Sequence, residues 1–176
     1  PANARGAKNG ILAFILDRLT GYLREGGYSP QEVEAVLASG ALPLAELPKV
    51  LQALQGFQQL PEAAALAAAN KRIVNILKKA GREYRGANAG RLVEPAERVL
   101  FEALQQIRPE VESRFQARDY GGALQRLAHL KQPVDAFFDQ VMVMAEDSAV
   151  RENRLALLGD LKALMNQVAD ISRLAA

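Results

Sequence analysis

Apolar residues recur three and four positions apart along almost the whole chain, and no stretch alternates as a half-buried strand does. The spacing predicts a first helix from about Asn9 to Glu25. Ile11, Leu12, Ile15, Leu19, Tyr22 and Leu23 form its apolar side, and Gly26-Gly27 stops it. Ser29-Pro30 is a cap followed by proline at the first helical position, so a second helix runs to about Ala38 and breaks at Ser39-Gly40. Leu47-Pro48 opens a third helix, to about Gln59, and Pro61 opens a fourth that stops at Gly81. The fifth starts at Glu94-Pro95 and reaches about Ala117, with Pro109 as a candidate break inside it. Asp119 caps a sixth near Tyr120–Leu130, and Pro133 starts a seventh over Val134–Met142. Asp147 or Ser148 caps the last, which extends to about Leu174 on a stripe of Leu157, Leu158, Leu161, Leu164, Met165, Val168 and Ile171.

Helices of this length joined by short connections predict an all-α fold, an antiparallel bundle of about eight helices. Residues 1–60 read as an N-terminal helical segment leading into a helical domain at 61–176. A Gly/Asn loop near 82–92, with Gly86, Asn88 and Gly90, is the candidate boundary between two sub-bundles. Leu and Ala dominate and β-branched residues are few, which favours helix over strand. A chain of 176 residues can bury a sizeable core. It has no cysteine, which excludes disulfides, thiolate metal sites and cysteine nucleophiles and fits a reducing, cytoplasmic setting. No apolar run approaches bilayer length and no signal peptide is visible, so no membrane partner is expected. The chain opens with Pro1 rather than Met, which leads to the expectation of a piece of a longer protein.

Charge changes the picture more than composition does. The formal net charge is only +2, yet the segment 70–91, NKRIVNILKKAGREYRGANAGR, holds Lys71, Arg72, Lys78, Lys79, Arg82, Arg85 and Arg91 against the single acid Glu83. The sequence on either side is slightly acidic. On a helical projection Lys71, Arg72, Asn75, Lys78, Lys79 and Arg82 share an arc of about 120°. Ile73, Ile76, Leu77 and Ala80 fall on the other side and continue a stripe begun by Leu66 and Ala69. Three turns of such a face cover about 16 Å, enough to follow several phosphates. A solvated lysine/arginine face without a ligand stands as the alternative. A merely solvated face usually mixes signs, because opposite charges at i,i+4 stabilise a helix, and here acids are nearly absent. The pattern is the footprint of an anionic partner, a nucleic-acid backbone above all.

Groups for catalysis are missing by the same reading. His129 is the only histidine, in RLAHLK, and reads as packed or solvated. No HxxxH, ExxH or DxDxDG spacing and no phosphate-binding glycine loop appears. The expectation is a non-catalytic chain with no cofactor and no metal of its own.

Two stretches then carry a family likeness. AAALAAANKRIVNILKKA (63–80) and VDAFFDQVMVMAEDSAVRENRLALLGDLKALMNQVADISRL (134–174) closely resemble the C-terminal end of the β subunit of bacterial heterotetrameric glycyl-tRNA synthetase. ILAFILDRLTGYLREGGYSPQEVEAVLA (11–38) is similar to the segment just before that end. The C-terminal part also resembles the DALR helical anticodon-binding domain, although the literal motif is not legible and VDAFFD at 134–139 is only a loose echo of it. The resemblance implies a glycine–tRNA ligase fragment that grips tRNA(Gly) at the anticodon, while the α subunit uses ATP and glycine.

On that implication Lys71, Arg72, Lys78, Lys79 and Arg82 would neutralise phosphates of the anticodon stem and loop. Asn75 would read a base edge in the single-stranded loop. Arg85 or Tyr84 would stack on a splayed base, with a packed loop aromatic as the other reading of Tyr84. Arg151 and Arg154 would flank the RNA, with an ion pair to a neighbouring helix the other reading of Arg154. Asn70 projects toward the apolar arc and is expected to make a buried interhelix hydrogen bond. Two further functions stay open on the sequence alone: a helical docking or assembly module, and a general RNA-binding domain.

Overall fold

The computed structural model describes residues 14, 17–39 and 43–175. Among them, regular structure is helical throughout and no strand forms. The helices are α1 (17–25), α2 (Pro30–Ser39), α3 (Leu47–Gln58), α4 (Ala63–Ala80), α5 (Pro95–Gln116), α6 (Tyr120–Leu127), α7 (Lys131–Gln140) and α8 (Ser148–Met165). Short 3-10 turns occupy Leu44–Glu46, Ala89–Arg91, Ala128–Leu130 and Ile171–Leu174.

Local chemistry sets most of these ends. The backbone N–H of Glu32 donates to Ser29 Oγ and that of Ser29 to the Glu32 carboxylate, a reciprocal cap on α2. Asp119 accepts from Gly122 N at 2.9 Å at the start of α6. Asp147, rather than Ser148, does the same for α8 through Val150 N. Gly81 closes α4 in the left-handed conformation, φ 79°, which glycine adopts without steric cost.

The predictions miss in four places. Of the first helix, Ile11, Leu12 and Ile15 lie outside the described residues, and Tyr22 is 73% exposed while Leu23 is buried. Pro109 does not break α5, which stays helical through it. Its position is exposed, so the carbonyl left without an N–H donor can meet water. The seventh helix begins at Lys131, two residues before Pro133, and ends at Gln140 rather than Met142. The last helix stops at Met165, and a turn carries the chain into Ile171–Leu174.

That turn closes the molecule on itself. Asp170 N donates to Ala35 O at 2.8 Å, so the C-terminal segment is pinned to α2. Asn70, fully buried on α4, donates to Asn166 Oδ1 at 2.6 Å, and Ile171 N donates to the same oxygen. Asn70 is buried and hydrogen-bonded as expected, but its partner Asn166 sits in the turn after α8, and its own Oδ1 has no partner among the described residues. The terminal turn packs between α2 and α4. The stripe from Leu157 to Ile171 is buried throughout, although a turn rather than a helix carries Val168 and Ile171.

α8 is the central element. Every residue from 153 to 159 is buried, so it is surrounded rather than amphipathic. It packs on α4 and α5, and α5 packs in turn on α6 and α7. Near its N-terminus Arg154 and Glu97 form a buried ion pair between α8 and α5. Glu97 also accepts from Val93 N and Glu94 N, and Arg154 donates to Met142 O at 2.8 Å. Both charges thus have several partners, which such burial requires.

Candidate nucleic-acid interface

α4 separates its two faces as its period demands. Leu66, Ala67, Asn70, Ile73 and Leu77 are buried, while Lys71, Arg72, Asn75, Lys78 and Lys79 are exposed. Beyond the helix the chain does not wander. Residues 83–88 form a strap across α8, held by hydrogen bonds from Gly86 N and Ala87 N to the two carboxylate oxygens of Asp160. Asn88 N donates to Asn153 Oδ1 at 2.7 Å, and Asn153 Nδ2 returns a bond to Asn88 O. The Gly/Asn loop read as a boundary is therefore stapled to the central helix along its length. It crosses α8 at Gly159, where the carbonyl of Tyr84 occupies the space a Cβ would fill.

Arg91 is exposed on the Ala89–Arg91 turn with no side-chain partner among the described residues, and Asn75 and the other basic residues sort into three groups by what they touch. Asn75, Lys78 and Lys79 are exposed and have no side-chain partner among the described residues. Lys71 and Arg72 are exposed but anchored. Lys71 Nζ donates to Ala175 O at 3.2 Å, and the Arg72 guanidinium lies 4.2 Å from the centroid of the Phe138 ring. Arg82 and Arg85 serve the strap itself: Arg82 pairs with Glu152 of α8 and covers the Tyr84 ring, and Arg85 donates to Gly159 O at 2.8 Å. Tyr84 is half-buried against the core, the packed alternative for that residue.

One predicted contact is corrected. Arg154 is buried in its pair with Glu97, so it is an interhelix ion pair and not an RNA-facing cation. Arg151 is half-buried and donates to the carbonyls of Ala145 and Glu146, which orders the turn before α8.

The structure adds Lys162, which no sequence pattern ties to the basic segment. It projects from α8 into the same groove as Lys78, Arg82 and Arg85, a hollow of about 460 Å³ between the end of α4, the strap and α8. Val74, Leu77 and Tyr84 supply apolar lining, and Glu83 is its one acid. The surface thus combines a row of cations with an adjoining cleft that has both apolar and cationic walls. Such a combination attracts a polyanion and can also receive a flat apolar ring. Among the described residues, no helix is long and apolar enough to cross a membrane.

Known proteins give this arrangement a context. The glycine–tRNA ligase beta subunit of Thiobacillus denitrificans is 55% identical over 97% of this chain and 24% of its own length. That of Methylobacillus flagellatus is also 55% identical over the same shares, and that of Paracidovorax citrulli is 57% identical over 92% of this chain and 23% of its own. The chain therefore spans about a quarter of the length of the curated relatives it matches. Residues 66–172, from the apolar stripe of α4 to the terminal turn, match the model of the DALR anticodon binding domain. With that match covering most of an all-helical bundle, the chain belongs to the DALR anticodon binding domain family.

Proposed function

We propose that this chain is the tRNA-gripping C-terminal part of a glycyl-tRNA synthetase β subunit and binds the anticodon region of tRNA(Gly). It contributes no catalytic group itself. It supports ATP-dependent glycylation carried out on the α subunit of a cytoplasmic heterotetramer. The observation that carries this reading is the exposed part of the α4 face: Asn75, Lys78 and Lys79 face solvent, and no acid among the described residues pairs with either lysine. Lys71 and Arg72 extend the row, held in place by the C-terminal segment and by Phe138. The relatives at 55% identity support the choice of RNA.

The test is a titration of the protein with tRNA(Gly) over a range of salt. Reversing Lys78 and Lys79 to Glu weakens binding and reduces the slope of log affinity against log salt by roughly one per lost phosphate contact. Helicity stays unchanged, because both positions are exposed. Unaltered affinity removes the row from the mechanism. Asn75→Ala lowers discrimination between tRNA(Gly) and a tRNA differing only in its anticodon. An equal loss for both means that Asn75 positions the backbone and reads no base.

A further inference from the structure

We infer that the groove between α4, the strap and α8 is a pocket for one unstacked nucleotide of a single-stranded RNA loop, with Lys162 as its phosphate clamp on the α8 wall. The inference rests on the RNA-binding reading above and adds a site and a ligand form to it. Three observations carry it. The groove, at about 460 Å³, lies within the roughly 300–1,000 Å³ typical of small-ligand sites. Its charge is one-sided: Lys78, Arg82, Arg85 and Lys162 line it against Glu83 alone, although Arg82 is already engaged by Glu152. Its remaining wall is apolar, from Val74, Leu77 and Tyr84.

A duplex presents phosphates to a surface but hides its base faces in the stack. A cleft with apolar walls and cations at its rim is complementary to a base that has left the stack and to the phosphates flanking it. Arg82 is built for such contact. Its guanidinium is held over the Tyr84 ring, 4.6 Å from the centroid, by its pair with Glu152, and its side chain remains 61% exposed. A base laid on its open face extends a stack already two layers deep. Tyr84 cannot drift, because its carbonyl is pressed against Gly159 and the next residue donates to Gly159 O. The cleft is therefore preformed, which lowers the ordering cost of binding.

The experiment uses the protein and two RNAs of equal stem sequence: a hairpin with a single-stranded loop carrying 2-aminopurine at one loop position at a time, and a blunt duplex without a loop. Binding of the hairpin changes the fluorescence strongly at one loop position. Lys162→Glu abolishes that signal and weakens hairpin binding by about tenfold, while duplex affinity changes by less than about twofold. Lys162→Gln, which keeps the aliphatic stem and the fold, acts in the same direction with a smaller effect. Lys79→Glu, outside the groove, weakens hairpin and duplex alike. The pocket is overturned if both Lys162 variants leave the fluorescence unchanged, or if they weaken duplex and hairpin equally. In those cases the row on α4 still stands as an RNA surface. Failure of the unaltered protein to bind either RNA instead overturns the RNA-binding reading as a whole.

Discussion

Gly159→Ala is the most direct perturbation of the strap that shapes the groove. A Cβ built on Gly159 lies 1.8 Å from the carbonyl oxygen of Tyr84 and 2.7 Å from its carbonyl carbon. A carbon and a carbonyl oxygen approach no closer than about 3.3 Å, so the strap must withdraw by about 1.5 Å or α8 must move. The obstacle is backbone, and α8 is buried over residues 153–159, so neither can yield cheaply. Withdrawal stretches the bonds of Gly86 N and Ala87 N to Asp160, now 3.0 and 2.9 Å, beyond hydrogen-bonding reach. Overpacking of this kind costs about 1–3 kcal/mol. The strained bonds add about 1 kcal/mol each where they are not replaced by water. The better helix propensity of alanine returns about 1 kcal/mol. The net expectation is a loss of about 2–4 kcal/mol, or a fall in Tm of roughly 5–15 °C for a chain of this size. Urea and thermal unfolding followed by circular dichroism measure it. Gly56→Ala on α3 is the control, since nothing lies within 4 Å of its Cβ position, and it stabilises by up to about 1 kcal/mol. If Gly159→Ala behaves like Gly56→Ala, the strap is not clamped at that crossing and the preformed groove has no foundation.

Two further outcomes follow from the same geometry. Arg154→Met leaves the buried Glu97 carboxylate with only backbone donors and costs about 3–5 kcal/mol in urea unfolding, and a loss below about 1 kcal/mol shows that water reaches the pair. The Asp119 carboxyl is held below its ordinary 3.8 by the hydrogen bond from Gly122 N and then by Arg114, so its contribution to stability is complete above that value and is lost as pH falls through the lower folded value. Asp119→Asn, which can still cap α6, is therefore less stable than the unaltered protein at pH 6, and the gap closes in acid. A gap that stays constant from pH 6 to pH 2 sinks this account of the cap.

How far the sequence reveals this molecule depends on the range of the interactions involved. The two faces of α4 are legible because exposure repeats with the helix, and Ile73 and Leu77 turn inward for the same local reason that Lys78 and Lys79 turn out. Caps such as Ser29, Asp119 and Asp147 are legible because their partners lie within three residues. The end of α8 is not. The stripe from Leu157 to Ile171 continues in register past Met165, but the chain turns there because Asn166 is bound by Asn70 and Asp170 by Ala35, partners 96 and 135 residues away. The same limit governs the charges. A helical projection places Lys79 and Arg82 side by side, yet one faces solvent with no partner among the described residues and the other clasps Glu152 over Tyr84. Arg154 follows the apolar stripe into a buried pair with a residue on α5. Lys162 joins the basic segment only because the strap is folded back over Gly159, a crossing that no local period encodes. Net charge in a segment therefore counts the cations available to a ligand only after those claimed by the fold are removed. In this protein the exposed cations of the segment without a partner among the described residues are Lys78, Lys79 and Arg91, and Lys162 joins Lys78 at the rim of one groove. The candidate interface is accordingly smaller than the basic segment that announces it.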